Sequence, residues 1–308
     1  MALLDLILGY DCNLACDYCT ITPAMRARAL SSQAVVSALR NGRGDGFDAC
    51  SFTGGEPTIR ADLLGLVRAA KKLGYVRVKV QSNGLLYAQR PNLERLVAVG
   101  ADDFHLSIHT HDAAAYDALV RREGAFASMC AGLQNLIALG LDPTVALIVK
   151  SDTYARLPAA IDWLADEGVT RADLWYVSLT DQNRDAIESL PAFRDAVPSM
   201  REGFARARER GMDLRSLHVP HCLLGDDADR AFEPARERVR VVTPDSTFDL
   251  SESRLTPNTH VPACEGCPRR ADCSGVRPDY LEVYGDSEIA EVRGAASSVA
   301  PTRLRVVE

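Results

Sequence analysis

A 308-residue chain in which 47% of residues are hydrophobic can bury a large core, enough for one large domain or a large one with a small companion. A net charge of −7 and a pI near 5.5 argue against a broad nucleic-acid surface, and no apolar run approaches the roughly 18 residues of a membrane span. Nine cysteines, in a chain whose apolar start carries Asp5 and no basic flank, point to a reducing cytoplasm and not to export.

Residues 3–8 form a short apolar run ending at Gly9, the pattern of a buried strand. It delivers Cys12-Asn13-Leu14-Ala15-Cys16-Asp17-Tyr18-Cys19. Ser31 and Ser32 then cap a helix over 34–39, and a strand over 47–52 runs into Thr53-Gly54-Gly55-Glu56-Pro57. The pattern continues with a helix at 63–73, a strand at 76–80 ending in Ser82-Asn83-Gly84, a helix at 93–99 and a strand at 103–108. A helix at 126–139, a strand at 145–149, a helix at 157–166 with Pro158 in its first turn and a strand at 174–177 complete the series. About six strand–helix units predict a parallel sheet with crossover helices. They are too few for a closed eight-stranded barrel, so the expected fold is α/β, a partial (β/α)6 TIM-like barrel. Every unusual motif falls at a C-terminal strand end, where such sheets gather their chemistry: the cysteines, the glycines, Ser82-Asn83, then Ser107 and His109.

Three cysteines this close cannot pair off as disulfides, whereas thiolates in short loops hold iron–sulfur clusters. Three ligands leave one iron of a four-iron cluster open to a small molecule. A structural zinc site would more usually join two C-x-x-C pairs or add histidines, and no histidine lies within 80 residues. Gly54 and Gly55 let backbone approach a ligand closely, and Glu56 offers a carboxylate to an ammonium group. His105, Ser107 and His109 share one strand parity, with His109 nearest the end and within reach of a substrate; hydrogen-bonded polar groups in a barrel interior would show the same pattern. Cys50 and Cys130 read as small core residues.

After about residue 180 the alternation stops. Arg201 to Arg210 reads as a solvated helix face laced with ion pairs. His221-Cys222 follows, then a hairpin of 239–242 and 247–250 turning at Pro244-Asp245. Cys264, Cys267 and Cys273 with Cys222 make four thiolates, enough to close a cluster or to hold zinc. His218, His221 and His260 lie near enough in sequence to replace Cys222. Residues 294–308 read as a loosely held tail.

The loop of Cys12, Cys16, Tyr18 and Cys19, with Gly54-Gly55-Glu56-Pro57 after the second strand, resembles the radical S-adenosylmethionine (SAM) superfamily over residues 3 to about 180. That resemblance implies SAM on the open iron of a four-iron cluster, its methionyl amino group held by Gly54, Gly55, Glu56 and Pro57. It makes Ser82, Asn83 and Ser107 candidates for the ribose and carboxylate, Tyr18 for the adenine, and Arg121 or Arg122 for the carboxylate. It implies reductive cleavage to a 5′-deoxyadenosyl radical, a hydrogen taken from a peptide or small-molecule substrate, and a reductant such as flavodoxin or ferredoxin. The later cysteines resemble the SPASM or twitch extensions, in the short form with one auxiliary four-iron cluster. The implied layout is a barrel over 1–180, a small cysteine-rich twitch-like domain over 181–293 and a tail over 294–308. The competing reading is a non-catalytic iron–sulfur or zinc-stapled binding protein on the same fold.

Overall fold

Leu4 and Leu6 are buried while Leu3, Asp5 and Ile7 are less so, the period of two of a strand with one side against a helix layer. The computed structural model describes residues 2–253 and 259–297. In it this strand, β1 (Leu3–Ile7), pairs in parallel with β2 (Ala49–Thr53). Next come β3 (Arg77–Ser82), β4 (Asp103–Ser107), β5 (Thr144–Val149) and β6 (Arg171–Tyr176), each parallel to its predecessor. Between them lie α1 (Ser32–Gly44), α2 (Leu63–Lys72), α3 (Arg90–Ala98), α4 (Ala113–Val120), α5 (Ala125–Ala138) and α6 (Leu157–Asp166). Ser31 caps α1 by accepting from the Ala34 N–H at 3.1 Å. The stripe of Leu63, Leu66, Val67 and Ala70 on α2 has helical spacing, and it shares one core with Leu4, Phe52 and Val80 of the strands.

The parallel run extends one unit beyond the six expected. α7 (Phe193–Glu209) leads to β7 (Asp213–Leu217), which pairs in parallel with β6. The charges of α7 disguise it, yet Val197, Met200 and Phe204 are buried, and at roughly 1.5–3 kcal/mol per buried apolar side chain this stripe outweighs what surface ion pairs contribute. Arg201 is not solvated either, since it donates twice to the Leu223 carbonyl. The single helix expected between β4 and β5 is two, broken where Arg121 and Gly124 take left-handed φ of 55° and 72°.

The predicted hairpin is present as β8 (Val239–Val242) and β9 (Thr247–Asp249). β8 pairs in parallel with β1, so the strand order is β7-β6-β5-β4-β3-β2-β1-β8-β9. Phe232 N–H bonds the Ser216 carbonyl of β7 at 2.8 Å, so residues 231–242 run from the β7 edge of the sheet to β8, the strand next to its other edge. α8 (Pro278–Tyr284) and α9 (Ser287–Ser297) follow. Of the expected tail, residues 294–297 are the last of α9, and 298–308 lie outside the described residues. Among the described residues no helix is long and apolar enough to cross a membrane.

Candidate active site

The loop that follows β1 is lashed down on several sides. Arg26 donates to the carbonyls of Cys12 and Leu14, both at 3.0 Å. Ala15 and Asp17 N–H groups reach the Val120 and Leu119 carbonyls at the end of α4. Lys150, just past β5, meets the Asp17 carboxylate at 3.2 Å. Arg122 reaches the Asn13 carbonyl at 3.3 Å, whereas Arg121 is the left-handed cap of α4. Arg26 carries no signal in sequence to part it from a surface arginine. Lys150 could have been found, because it occupies a C-terminal strand end.

The loop brings Cys12, Cys16 and Cys19 together, all half-buried. Cys12 Sγ accepts from the Leu14 N–H and Cys19 Sγ from the Ile21 N–H, each at 3.4 Å. Burial pushes the Cys16 thiol up to about 12, and the neighbouring charges of Cys19 and Cys12 add to it. Thiols so placed resist ionising alone; a cation among them is what would make them thiolates.

The second strand delivers its glycines onto this loop. Gly55 N–H bonds the Gly9 carbonyl at 2.9 Å and Glu56 N–H the Asp11 carbonyl at 2.8 Å. A Cβ on Gly55 would lie 2.0 Å from Asp11 O, and one on Gly54, at φ 126°, 2.3 Å from Gly9 O. The room a side chain would need is thus taken by the cysteine loop. Pro57 opens a short 3-10 turn capped by Glu56. The buried Glu56 carboxylate accepts from Thr58 N–H (3.0 Å), Thr58 hydroxyl (2.5 Å) and Ser82 hydroxyl (2.9 Å) on Oε1, and from Asn83 N–H (2.8 Å) on Oε2. Burial raises its pKa and those bonds pull it back. Asn83 also bonds the Asn13 side chain at 2.7 Å, tying the end of β3 to the cysteine loop. Ser107 closes β4 and is partly buried.

His109, expected to reach a substrate, is only 6% exposed. Its Nε2 lies 2.5 Å from the Tyr18 hydroxyl, with the rings edge to face. Burial lowers its pKa to about 3, so the imidazole is neutral, and one proton is shared between its Nε2 and the phenol oxygen.

The four later cysteines lie near enough to act on one another's ionisation. Burial pushes Cys222 up to about 12, with Cys267, Cys273 and Cys264 adding to the rise. Cys273 Sγ accepts from the Gly275 N–H at 3.3 Å. The three histidines take other posts: His260 Nε2 is 3.0 Å from the Cys273 carbonyl, His221 lies 3.5 Å from Glu233, and His218 packs edge-on against Trp175. Cys50 is buried in the core, as expected, and Cys130 packs against it.

A family model described as the Radical SAM superfamily matches residues 6–164, just over half of the chain. The chain belongs to the radical SAM superfamily. It is 30% identical over 188 residues to the probable GTP 3′,8-cyclase of Methanopyrus kandleri, covering 60% of this chain and 57% of that protein. The PqqA peptide cyclase of Xanthomonas euvesicatoria is 29% identical, with 91% and 84% covered. Among solved structures, Streptococcus suis SuiB bound to S-adenosylmethionine superposes with a TM-score of 0.69 at 15% identity, over 91% of this chain and 73% of that one, a likeness of fold. The donor set of the first site fits the radical SAM cluster: three thiols near enough to act on one another's ionisation, two of them already receiving backbone N–H donors, in a loop held from four directions. Among the described residues no three such groups are yet drawn close enough to grip a metal.

Proposed function

We propose that this radical SAM enzyme cleaves SAM reductively at a four-iron cluster on Cys12, Cys16 and Cys19 and takes a hydrogen atom from a peptide or small-molecule substrate. Bound together, cluster and SAM supply the 5′-deoxyadenosyl radical; the polypeptide supplies binding, orientation and exclusion of water. The observation that carries this reading is the pair of backbone bonds from Gly55 and Glu56 to Gly9 and Asp11, which fix the Glu56 carboxylate relative to the three thiols. In this reading Gly54, Gly55, Glu56 and Pro57 hold the amino group of SAM. One lone pair of Glu56 Oε2 stays free for it, since Oε1 accepts three of the carboxylate's hydrogen bonds and Oε2 one. Ser82, Asn83 and Ser107 serve the ribose and carboxylate, and Tyr18 the adenine. His109 is then a positioning residue that acts through Tyr18.

Cys222, Cys264, Cys267 and Cys273 hold one auxiliary four-iron cluster in a twitch-like region over 181–293, which shares its sheet with the barrel through β7 and β8. Their mutual influence as charges supports this. Zinc is the competing occupant. All nine cysteines are free of disulfides, which suits the cytoplasm and a flavodoxin or ferredoxin as reductant. Relatives named for a peptide and for GTP keep both substrate classes in view.

Anaerobic reconstitution followed by iron analysis and incubation with SAM and dithionite tests the whole. About eight irons per chain, two clusters of four, with 5′-deoxyadenosine released is the expected result. Zinc in place of iron and no nucleoside would establish the non-catalytic reading instead.

A further inference from the structure

Barrels of this kind usually fill their interior with layers of bulky aliphatic side chains. This one leaves a cavity of about 430 Å3, open on one side and within the range of small-molecule sites. It runs from the first residues of the strands, such as Leu3 and Arg77, to penultimate ones, Gln81 and Trp175. The strand registers set Asp5, Ser51, Lys79 and Asp103 in one row across β1 to β4.

Most charges around the cavity are neutralised by the protein. Arg77 pairs with Asp103 at 2.8 Å, Arg215 with Asp173 at 2.9 Å and Arg171 with Asp142 at 3.0 Å. A remainder is not. Lys79 makes no ion pair or hydrogen bond among the described residues, though it lies near enough to Asp5 and His105 to act on their ionisation. Asp5 and Ser51, whose Oδ1 and Oγ are buried, have only each other, and Asp103 Oδ1, on the carboxylate whose other oxygen meets Arg77, is buried with His105 Nε2 3.5 Å away. Each such group left without a partner costs about 1–3 kcal/mol, so this wall calls for polar matter against it. At the upper end Trp175, held edge-on by His218, is 39% exposed and offers an apolar surface.

One unpaired cation, Lys79, beside Asp5, which meets a hydroxyl and no close cation, and Asp103, one of whose oxygens faces only His105, does not suit a phosphate, which would want cations alone, nor a polyamine, which would want acids alone. We infer that the chamber binds a zwitterion of amino-acid size, its carboxylate on Lys79, its ammonium between Asp5 and Asp103, and its side chain toward Trp175. The lining includes none of the residues assigned above to the cluster or to SAM, so the ligand is inferred as bound here and the site stands apart from the function proposed above.

Titration calorimetry on the full chain, reconstituted anaerobically and free of SAM, tests it with the free L-amino acids, their N-acetyl amides, which carry neither backbone charge, and methyl glucoside as a neutral polyol. At least one free amino acid is expected to bind below about 1 mM, with its blocked form at least about tenfold weaker. Lys79→Met should weaken it about as much, and Trp175→Ala should weaken an apolar ligand. Absence of binding by every free amino acid, equal binding of the blocked form or the glucoside, or an affinity untouched by Lys79→Met would overturn the inference. The blocked-ligand comparison uses the unaltered protein, so it decides even if a variant misfolds. Release of 5′-deoxyadenosine, measured in parallel, separates the two claims: binding without nucleoside strikes the proposed function, and nucleoside without binding strikes this site.

Discussion

The Tyr18 hydroxyl and His109 Nε2 stand 2.5 Å apart beneath the cysteine loop, a bond between residues 91 positions apart in the chain. It joins the loop after β1 to the loop after β4. With the phenol gone, a buried ring nitrogen loses its partner, at a cost of about 1–3 kcal/mol. Tyr18→Phe should therefore lower the urea midpoint of the metal-free protein. An unchanged midpoint would show that the bond contributes nothing.

The same histidine makes stability depend on pH. Burial lowers its pKa from 6.5 to about 3, so the folded chain keeps it neutral while the unfolded chain takes up a proton below 6.5. Its contribution is complete above pH 6.5 and is lost as pH falls toward 3, at up to about 1.4 kcal/mol per unit. His109→Phe has no such site, so the stability of the native chain relative to this variant should fall by about 1–2 kcal/mol between pH 7 and pH 5. His218, also lowered to about 3 by burial, is in both proteins and cancels. Parallel urea-derived profiles for the two would refute this origin.

How much of this was legible beforehand differs by region. The first six strands declared themselves because their outward residues, such as Leu4, Phe52 and Val80, are apolar whatever lies inside. β7 did not, since Asp213 and Arg215 point charges toward a hollow barrel and its Leu214 and Ser216 give only a thin apolar face. Cys12, Cys16 and Cys19 were legible because ligand spacing is local. That Lys150 would meet Asp17, and Arg26 the Cys12 carbonyl, was not, because a pairing across 133 positions or a bond to a carbonyl leaves no local pattern, even where the position of Lys150 at a strand end could have marked it. The glycines were found for a partly different reason from the one the fold reveals: they admit the neighbouring loop.

Gly55→Ala tests that last point. Its Cβ would sit 2.0 Å from Asp11 O, which is backbone and has no side chain to swing away. The two loops must part, breaking the Glu56–Asp11 bond and moving the cysteines. We expect the variant to retain helical circular dichroism but to bind well under half the iron of the native chain at the first site. Gly65→Ala, with nothing within 4 Å of its added carbon, is the matched control and should bind iron normally. Equal iron in both would mean that this contact does not hold the loop.

The two cysteine groups should empty independently. Cys264 and Cys267 are joined by a local backbone bond of 3.2 Å and face Cys222 and Cys273. None of the bonds that hold the first loop, from Arg26, Lys150 or Asn83, involves them. Replacing both by serine should remove about four of about eight irons and leave the rest on Cys12, Cys16 and Cys19. SAM cleavage without substrate needs only the first group, so the double variant should still release 5′-deoxyadenosine under dithionite. Were zinc the occupant, the native chain would carry about four irons and one zinc, and the substitution would remove the zinc alone. Loss of all iron together would show that the later cysteines support the fold of the first loop, which the separate hydrogen-bond networks argue against.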